Sequence, residues 1–82
     1  MSSKLPSLTA REVIAVLKKH AFEFDRQSGS HAIYIHPDGR RTTVPIHGKR
    51  DIGKGLLRKI MRDAELSVED FLVLFIMYSS LR

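Results

Sequence analysis

Two turn signals divide the middle of the chain into three short segments, and this division limits the possible folds more than any other feature. Ser28-Gly29 and Pro37-Asp38-Gly39 combine residues that preset or tolerate the backbone angles of turns. The segments that they separate lie near residues 22–25, 31–36 and 41–46. They predict a three-stranded antiparallel meander. Pro45, which donates no hydrogen bond, is expected on an edge strand or near a strand end.

An amphipathic helix is predicted before the meander. Thr9 and Glu12 have the spacing of a capping box, which starts a helix, and the helical pattern ends near His20. Its apolar positions fall within about 100° of one another on a helical wheel. They form one stripe, which we expect to pack on the sheet: Ala10, Val13, Ile14, Leu17 and Ala21.

A second helix is predicted after the meander, with Asp51 as its N-cap. Its residues divide into an apolar side (Leu56, Leu57, Ile60, Met61, Ala64) and a cationic side (Lys54, Arg58, Lys59, Arg62). Gly53 and Gly55 are poor helix formers near its start. Two explanations stay open: the backbone approaches a phosphate there, or the glycines allow tight packing against the sheet.

A third, short helix capped by Ser67 completes the predicted order. Residues 71–78 are continuously apolar, so they are either buried or form a surface for another chain, such as a second copy contacted through Phe71, Phe75 and Tyr78. The whole order predicts an α+β fold of α-β-β-β-α type, with a three-stranded antiparallel sheet covered on one face by helices. We expect residues 1–82 to form a single domain with a core over about residues 9–75.

Positive charge is concentrated in the middle of the chain. The net charge is +5, but residues 40–62 hold eight basic residues and one acidic residue. Such a block is typical of proteins that contact the phosphates of a nucleic acid, and the simpler alternative is a solvated basic face.

Composition argues against several classes of function. The chain has no cysteine, which rules out disulfides and thiolate metal sites and suits a cytoplasmic location. Its four histidines are scattered, which disfavours a zinc site, and its 82 residues leave no room to enclose a large cofactor. The apolar runs are too short to cross a membrane, and no segment resembles a signal peptide. We expect no metal, no cofactor and no membrane partner.

His31 is the strongest candidate for catalysis. It follows Gly29 and Ser30 at the start of the second predicted strand, and an imidazole can both accept and donate a proton near neutral pH. The alternative is a histidine at the edge of the core that binds a backbone carbonyl. Strand alternation places His31 with Ile33 and Ile35 on what we expect to be the core face, so His31 must emerge at the rim of the sheet.

Three segments together resemble the HicA toxin family: Gly29-Ser30-His31, Thr43-Val44-Pro45-Ile46-His47 and Lys54-Gly55-Leu56-Leu57-Arg58-Lys59-Ile60. The resemblance covers about residues 9–75, and the order of helices and strands agrees with it. It implies a double-stranded-RNA-binding-like fold and an mRNA interferase, an endoribonuclease toxin that cuts mRNA without a metal through one histidine, here His31. It also implies silencing by a HicB-like antitoxin. The sequence departs from the family pattern at Ala32, where many members have a polar or basic residue, and in a longer run after Phe75.

Metal-free cleavage of RNA needs a base for the 2′-hydroxyl proton, cations that stabilise the charged transition state, and an acid for the leaving oxygen. His31 is predicted to be the base, and His47 is expected to serve loop structure or RNA contact rather than acid catalysis. An acidic antitoxin would block RNA by covering residues 49–62. The alternative function is an RNA-binding module that uses the second helix and cuts nothing. RNA contacts are predicted for Gly29, Ser30, His47, Lys49, Arg50, Lys54, Arg58 and Arg62.

Overall fold

Three strands and three helices build the predicted layout, in a computed structural model that describes residues 7–46 and 51–80. The elements are β1 (Leu8–Thr9), α1 (Ala10–Lys19), β2 (Glu23–Ser28), β3 (His31–Ile35), β4 (Arg41–Pro45), β5 (Asp51–Ile52), α2 (Lys54–Ala64) and α3 (Val68–Ser80). The sheet is antiparallel with strand order β2-β3-β4, and helices cover one of its faces, so the predicted α+β fold of α-β-β-β-α type with a C-terminal helix is confirmed. A separate two-residue pairing joins β1 to β5.

Helix α1 begins at the predicted capping box. The Thr9 hydroxyl accepts a hydrogen bond from the Glu12 backbone N–H at 3.2 Å, and the Glu12 carboxylate accepts one from the Thr9 backbone N–H at 2.9 Å. The predicted stripe is wrong at its end, because Ala21 lies beyond the helix, exposed and with a φ of 72°. Val16 is fully buried in the helix instead.

The two faces of the sheet are reversed relative to the prediction. In β3, Ala32 and Tyr34 are buried, whereas His31 is exposed and Ile33 and Ile35 are half-buried. The sheet therefore has a core face under the helices and a second face, which we call the open face, that carries His31.

Arg41 supplies the physical reason for this orientation. It lies directly opposite Ile35 in the pairing of β3 with β4, so the two side chains share a face. An unpaired arginine is costly to bury, and Arg41 is exposed. The residues that share the face of Arg41 therefore point outward. The alternate residues of β4, Thr42 and Val44, are buried opposite Tyr34 and Ala32 of β3.

Helix α2 packs on the core face against β4. At its C-terminal end, the Thr42 hydroxyl donates to the Asp63 carboxylate at 3.4 Å and the Arg40 guanidinium donates to the Ala64 carbonyl. The chain leaves β4 at Pro45 and enters α2 at Lys54, only nine positions later. Since the other end of α2 contacts the start of β4, we infer that α2 runs roughly opposite in direction to β4. The predicted apolar side is confirmed, with Leu56 half-buried and the other four residues buried: Leu57, Ile60, Met61 and Ala64.

Asp51 does not cap α2, contrary to the prediction. It pairs with Thr9 across β1 and β5, and its carboxylate accepts a hydrogen bond from Ser7 Oγ at 3.0 Å. Gly53 occupies the N-cap position and supplies no side-chain hydrogen bond. The pairing ties the start of α1 to the start of α2, a contact between residues more than 40 positions apart that local sequence patterns do not reveal.

Helix α3 is longer than predicted, with 13 residues. Ser67 caps it as predicted, since its Oγ accepts a hydrogen bond from the Asp70 backbone N–H at 3.0 Å. The helix packs on α1 and fully buries Phe71, which removes Phe71 from the predicted surface for self-association; Phe75 and Tyr78 are half-buried. Its exposed apolar residues are Val73, Ile76 and Met77. None of the helices in the described ranges is long and apolar enough to span a membrane.

Candidate active site and nucleic-acid interface

His31 is the first residue of β3, the central strand, and lies on the open face between Ser28 of β2 and Pro45 of β4. Its side chain is exposed, and no side chain in the described ranges forms a hydrogen bond with its ring. Neighbouring strands thus hold the backbone on both sides while the imidazole faces solvent. This arrangement suits proton exchange with a bound molecule and does not support a core-edge histidine bonded to a carbonyl.

Gly29 and Ser30 fix the position of His31. They form the two-residue connection between β2 and β3, and Gly29 has a φ of 59°, in the left-handed region that glycine adopts without strain. The Ser30 carbonyl accepts a hydrogen bond from the Ile46 backbone N–H at 2.7 Å, which joins this turn to the end of β4. The tight turn therefore holds His31 at the end of the sheet where β4 finishes.

The cationic side of α2 is a solvent-exposed surface, as predicted. Lys54, Arg58, Lys59 and Arg62 are all exposed, and Lys59 pairs with Asp63 at 3.1 Å. Because α2 runs opposite to β4, Lys54 lies toward the end of the sheet that carries His31. Arg62 lies about 12 Å farther along the helix axis, toward the other end.

Gly53 and Gly55 are not explained by tight packing. Both are exposed, and a Cβ atom built on either one would meet nothing within 4 Å in the described part of the chain. The remaining explanation, approach of a phosphate to the backbone at the start of α2, stays a prediction. His47, Lys49 and Arg50, the predicted RNA contacts of the preceding loop, lie outside the described residues.

Two other histidines, His20 and His36, lie at the opposite end of the sheet. Together with Phe22, Asp38 and Arg40 they form a packed cluster, which we call the corner. His20 caps the C-terminal end of α1, and its ring centroid is 5.8 Å from that of His36. Both rings pack against Phe22, and the Arg40 guanidinium lies 5.5 Å from the Phe22 centroid. Arg40 also pairs with Asp38 at 2.9 Å. The corner joins α1, the β3–β4 turn and the end of α2.

Charges in this corner shift two pKa values. Burial, followed by the charges of Arg40 and His36, lowers the pKa of His20. Hydrogen bonds from Arg40 lower the pKa of Asp38 to about 2. The Asp38 carboxylate thus contributes stability that is present at neutral pH and is lost as the pH falls from about 4 toward 2.

Mild acid is expected to destabilise the fold through His20. Because its pKa is lowered in the folded state, the unfolded chain binds a proton first as the pH falls below the ordinary histidine value, and the free energy of unfolding decreases. Urea unfolding at pH 7.5 and 5.5 measures this change, which should be smaller in a His20→Gln variant. An equal loss of stability in both proteins would contradict the assignment to His20.

The open face also presents a cation that sequence patterns did not select. Arg41 belongs to the basic block, but it was not among the predicted RNA contacts. The turn between β3 and β4 could have identified it. This turn sets the register of the two strands, which places Arg41 opposite Ile35 and hence on the face of His31. No cluster of metal-binding side chains occurs in residues 7–46 and 51–80.

Comparison with known families agrees with this architecture. The model of the HicA toxin of bacterial toxin–antitoxin systems matches residues 10–66, which include α1, the whole sheet and α2. No curated protein matches the chain significantly. The family match covers more than half of the chain and contains His31 and the cationic side of α2. The chain belongs to the HicA toxin family.

Proposed function

We propose that this protein is the toxin of a type II toxin–antitoxin system and acts as a metal-independent endoribonuclease, an mRNA interferase, with His31 as its catalytic residue. The observation that carries the proposal is the exposed imidazole on the central strand of a HicA-family domain. A histidine whose ring forms no hydrogen bond within residues 7–46 and 51–80 is available to a substrate.

The chemistry follows from the properties of an imidazole. His31 removes the proton from a ribose 2′-hydroxyl, and the resulting oxygen attacks the adjacent phosphorus. The bond from phosphorus to the 5′ oxygen of the next nucleotide then breaks, and that oxygen takes up a proton. The products are a 2′,3′-cyclic phosphate and a 5′-hydroxyl.

Cations at the same end of the sheet support this step. Negative charge grows on the phosphate oxygens in the transition state, and positive groups that are already in place stabilise it. Lys54, in the first turn of α2, is the described cation of this helix that lies nearest to the end of β4. Arg58 and Arg62 extend the positive surface along α2 and bind RNA farther from the reacting phosphate.

The positive charge of α2 is also consistent with inhibition by a HicB-like antitoxin. An acidic partner that covers the start of α2 and His31 would exclude RNA and neutralise the cationic side together. If the antitoxin blocked cleavage while leaving both His31 and α2 exposed in the complex, direct occlusion would be wrong.

A non-catalytic RNA-binding module is the second candidate. It is favoured by one observation: the cations belong to a helix on the core face, whereas His31 lies on the open face. RNA bound along α2 alone would not need His31.

Incubation of RNA with the purified protein in excess EDTA separates the two functions. We expect cleavage of RNA to continue in EDTA, while DNA of the same sequence stays whole because it lacks the 2′-hydroxyl nucleophile. Binding without any cleavage would favour the module. Activity that disappears in EDTA and returns with a divalent cation would contradict the metal-independent mechanism.

A further inference from the structure

The open face of the sheet divides into an acidic side and a basic side. The row at the far end from His31 reads Glu23, Ile35, Arg41 across the three strands, so the carboxylate lies on β2 and the guanidinium on β4. Arg26 also lies on β2, in the row of Ile33, but it pairs with the neighbouring Asp25 at 2.7 Å.

In the described part of the chain, β4 contributes no carboxylate to the open face. The residues that β4 contributes to the open face are Arg41, Thr43 and Pro45. Arg41 is exposed and forms no ion pair with any residue in the described ranges. A polyanion that crosses the face would therefore meet attraction along β4 and repulsion at the Glu23 corner of β2.

Arg41 and His31 occupy the two ends of one path. The row of Arg41 lies four positions along β3 from the row of His31, which corresponds to about 14 Å along the strand. At 3.4 Å or more per nucleotide, a stretch of no more than about four nucleotides spans that length. Between the two ends lie the half-buried side chains of Ile33 and Thr43, and half-buried Ile35 lies beside Arg41.

We propose that single-stranded RNA lies across the β4 side of the open face, with its reacting phosphate at His31 and a phosphate about two to four nucleotides away bound by Arg41. The inference rests on the proposed function and adds the path of the substrate and a binding residue to it. Unpaired bases expose apolar faces that can lie against Ile33 and Ile35, whereas the bases of a duplex are stacked inside it. RNA is favoured over an acidic protein segment because Arg41 shares the face of His31, the residue that is proposed to act on RNA.

Two matched arginine variants test the path. Arg41→Gln and Arg26→Gln each remove one positive charge from the same face, on opposite sides of β3. A 2′-O-methyl oligoribonucleotide is the probe, since it lacks the hydroxyl nucleophile and stays intact on the active protein.

We expect Arg41→Gln to weaken binding of this probe about two- to five-fold. The slope of log affinity against log salt concentration should fall by about 0.7. Arg26→Gln should leave both values as in the unaltered protein.

The outcomes separate this inference from the proposed function. If the unaltered protein cuts RNA but Arg41→Gln binds the probe with unchanged affinity and slope, the path along β4 is wrong and the nuclease remains. Equal losses in both arginine variants would also overturn the path, because they would indicate a diffuse field rather than a contact. Preference for a duplex of the same sequence would overturn the single-stranded assignment. Absence of any cleavage by the unaltered protein would contradict the proposed function itself.

Discussion

Replacement of His31 by alanine is expected to lower the rate of RNA cleavage by at least about 100-fold, the lower end of what general acid–base catalysis contributes. The fold should survive, because the side chain is exposed and only its backbone takes part in the sheet. Cleavage rates on a labelled RNA, with thermal unfolding of both proteins, measure the two effects separately.

His36→Gln is the matched histidine control. His36 lies just beyond the other end of β3, five residues from His31, and packs against Phe22 rather than facing the proposed site. Its replacement should leave cleavage near the rate of the unaltered protein, apart from any loss of stability. A His31→Ala protein that cuts RNA as fast as this control would remove His31 from the mechanism.

Replacement of Phe71 by alanine is expected to cost about 3–5 kcal/mol of unfolding free energy. Its ring is fully buried, and α3 packs on α1. A folded chain of 82 residues has a total stability of about 4–12 kcal/mol, so the loss is a large share of it. Urea unfolding followed by circular dichroism measures the change, and Phe71→Leu, which should lose less, gives a measurable variant if Phe71→Ala does not fold.

Val73→Ala provides the control on the same helix. Val73 is 56% exposed, so its truncation should change the unfolding free energy by no more than about 0.5 kcal/mol. If Phe71→Ala unfolds at the same urea concentration as Val73→Ala, then α3 does not complete the core.

Local patterns in the sequence predicted most of the fold. The Thr9 capping box, the two turns and the two-sided pattern of α2 are each decided by residues within a few positions of one another, and the structure contains all of them. The Asp51 prediction failed because its partner, Thr9, is distant in the chain. The length of α3 was underestimated because a continuously apolar segment has no periodicity that marks its end.

The candidate site was only partly predictable for a different reason. His31 was identified by residue type and position, but the face on which it lies depends on the register between strands. With isoleucines at residues 33 and 35, apolar content alone favoured the wrong face. Arg41 determines which face of the sheet is exposed, through its pairing with Ile35 on the neighbouring strand. Because local sequence patterns do not reveal that pairing, Arg41 was also missed as an RNA contact.

The chemical nature of the RNA ends left by the purified protein in excess EDTA tests the central claim most directly. Mass spectrometry of the fragments should find 2′,3′-cyclic phosphates, or the monophosphates that form from them by hydrolysis, paired with 5′-hydroxyl ends. These ends require attack by the 2′-hydroxyl, the step assigned to His31. Fragments with 5′-phosphate and 3′-hydroxyl ends would mean that water attacks the phosphorus, and the proposed mechanism would be wrong.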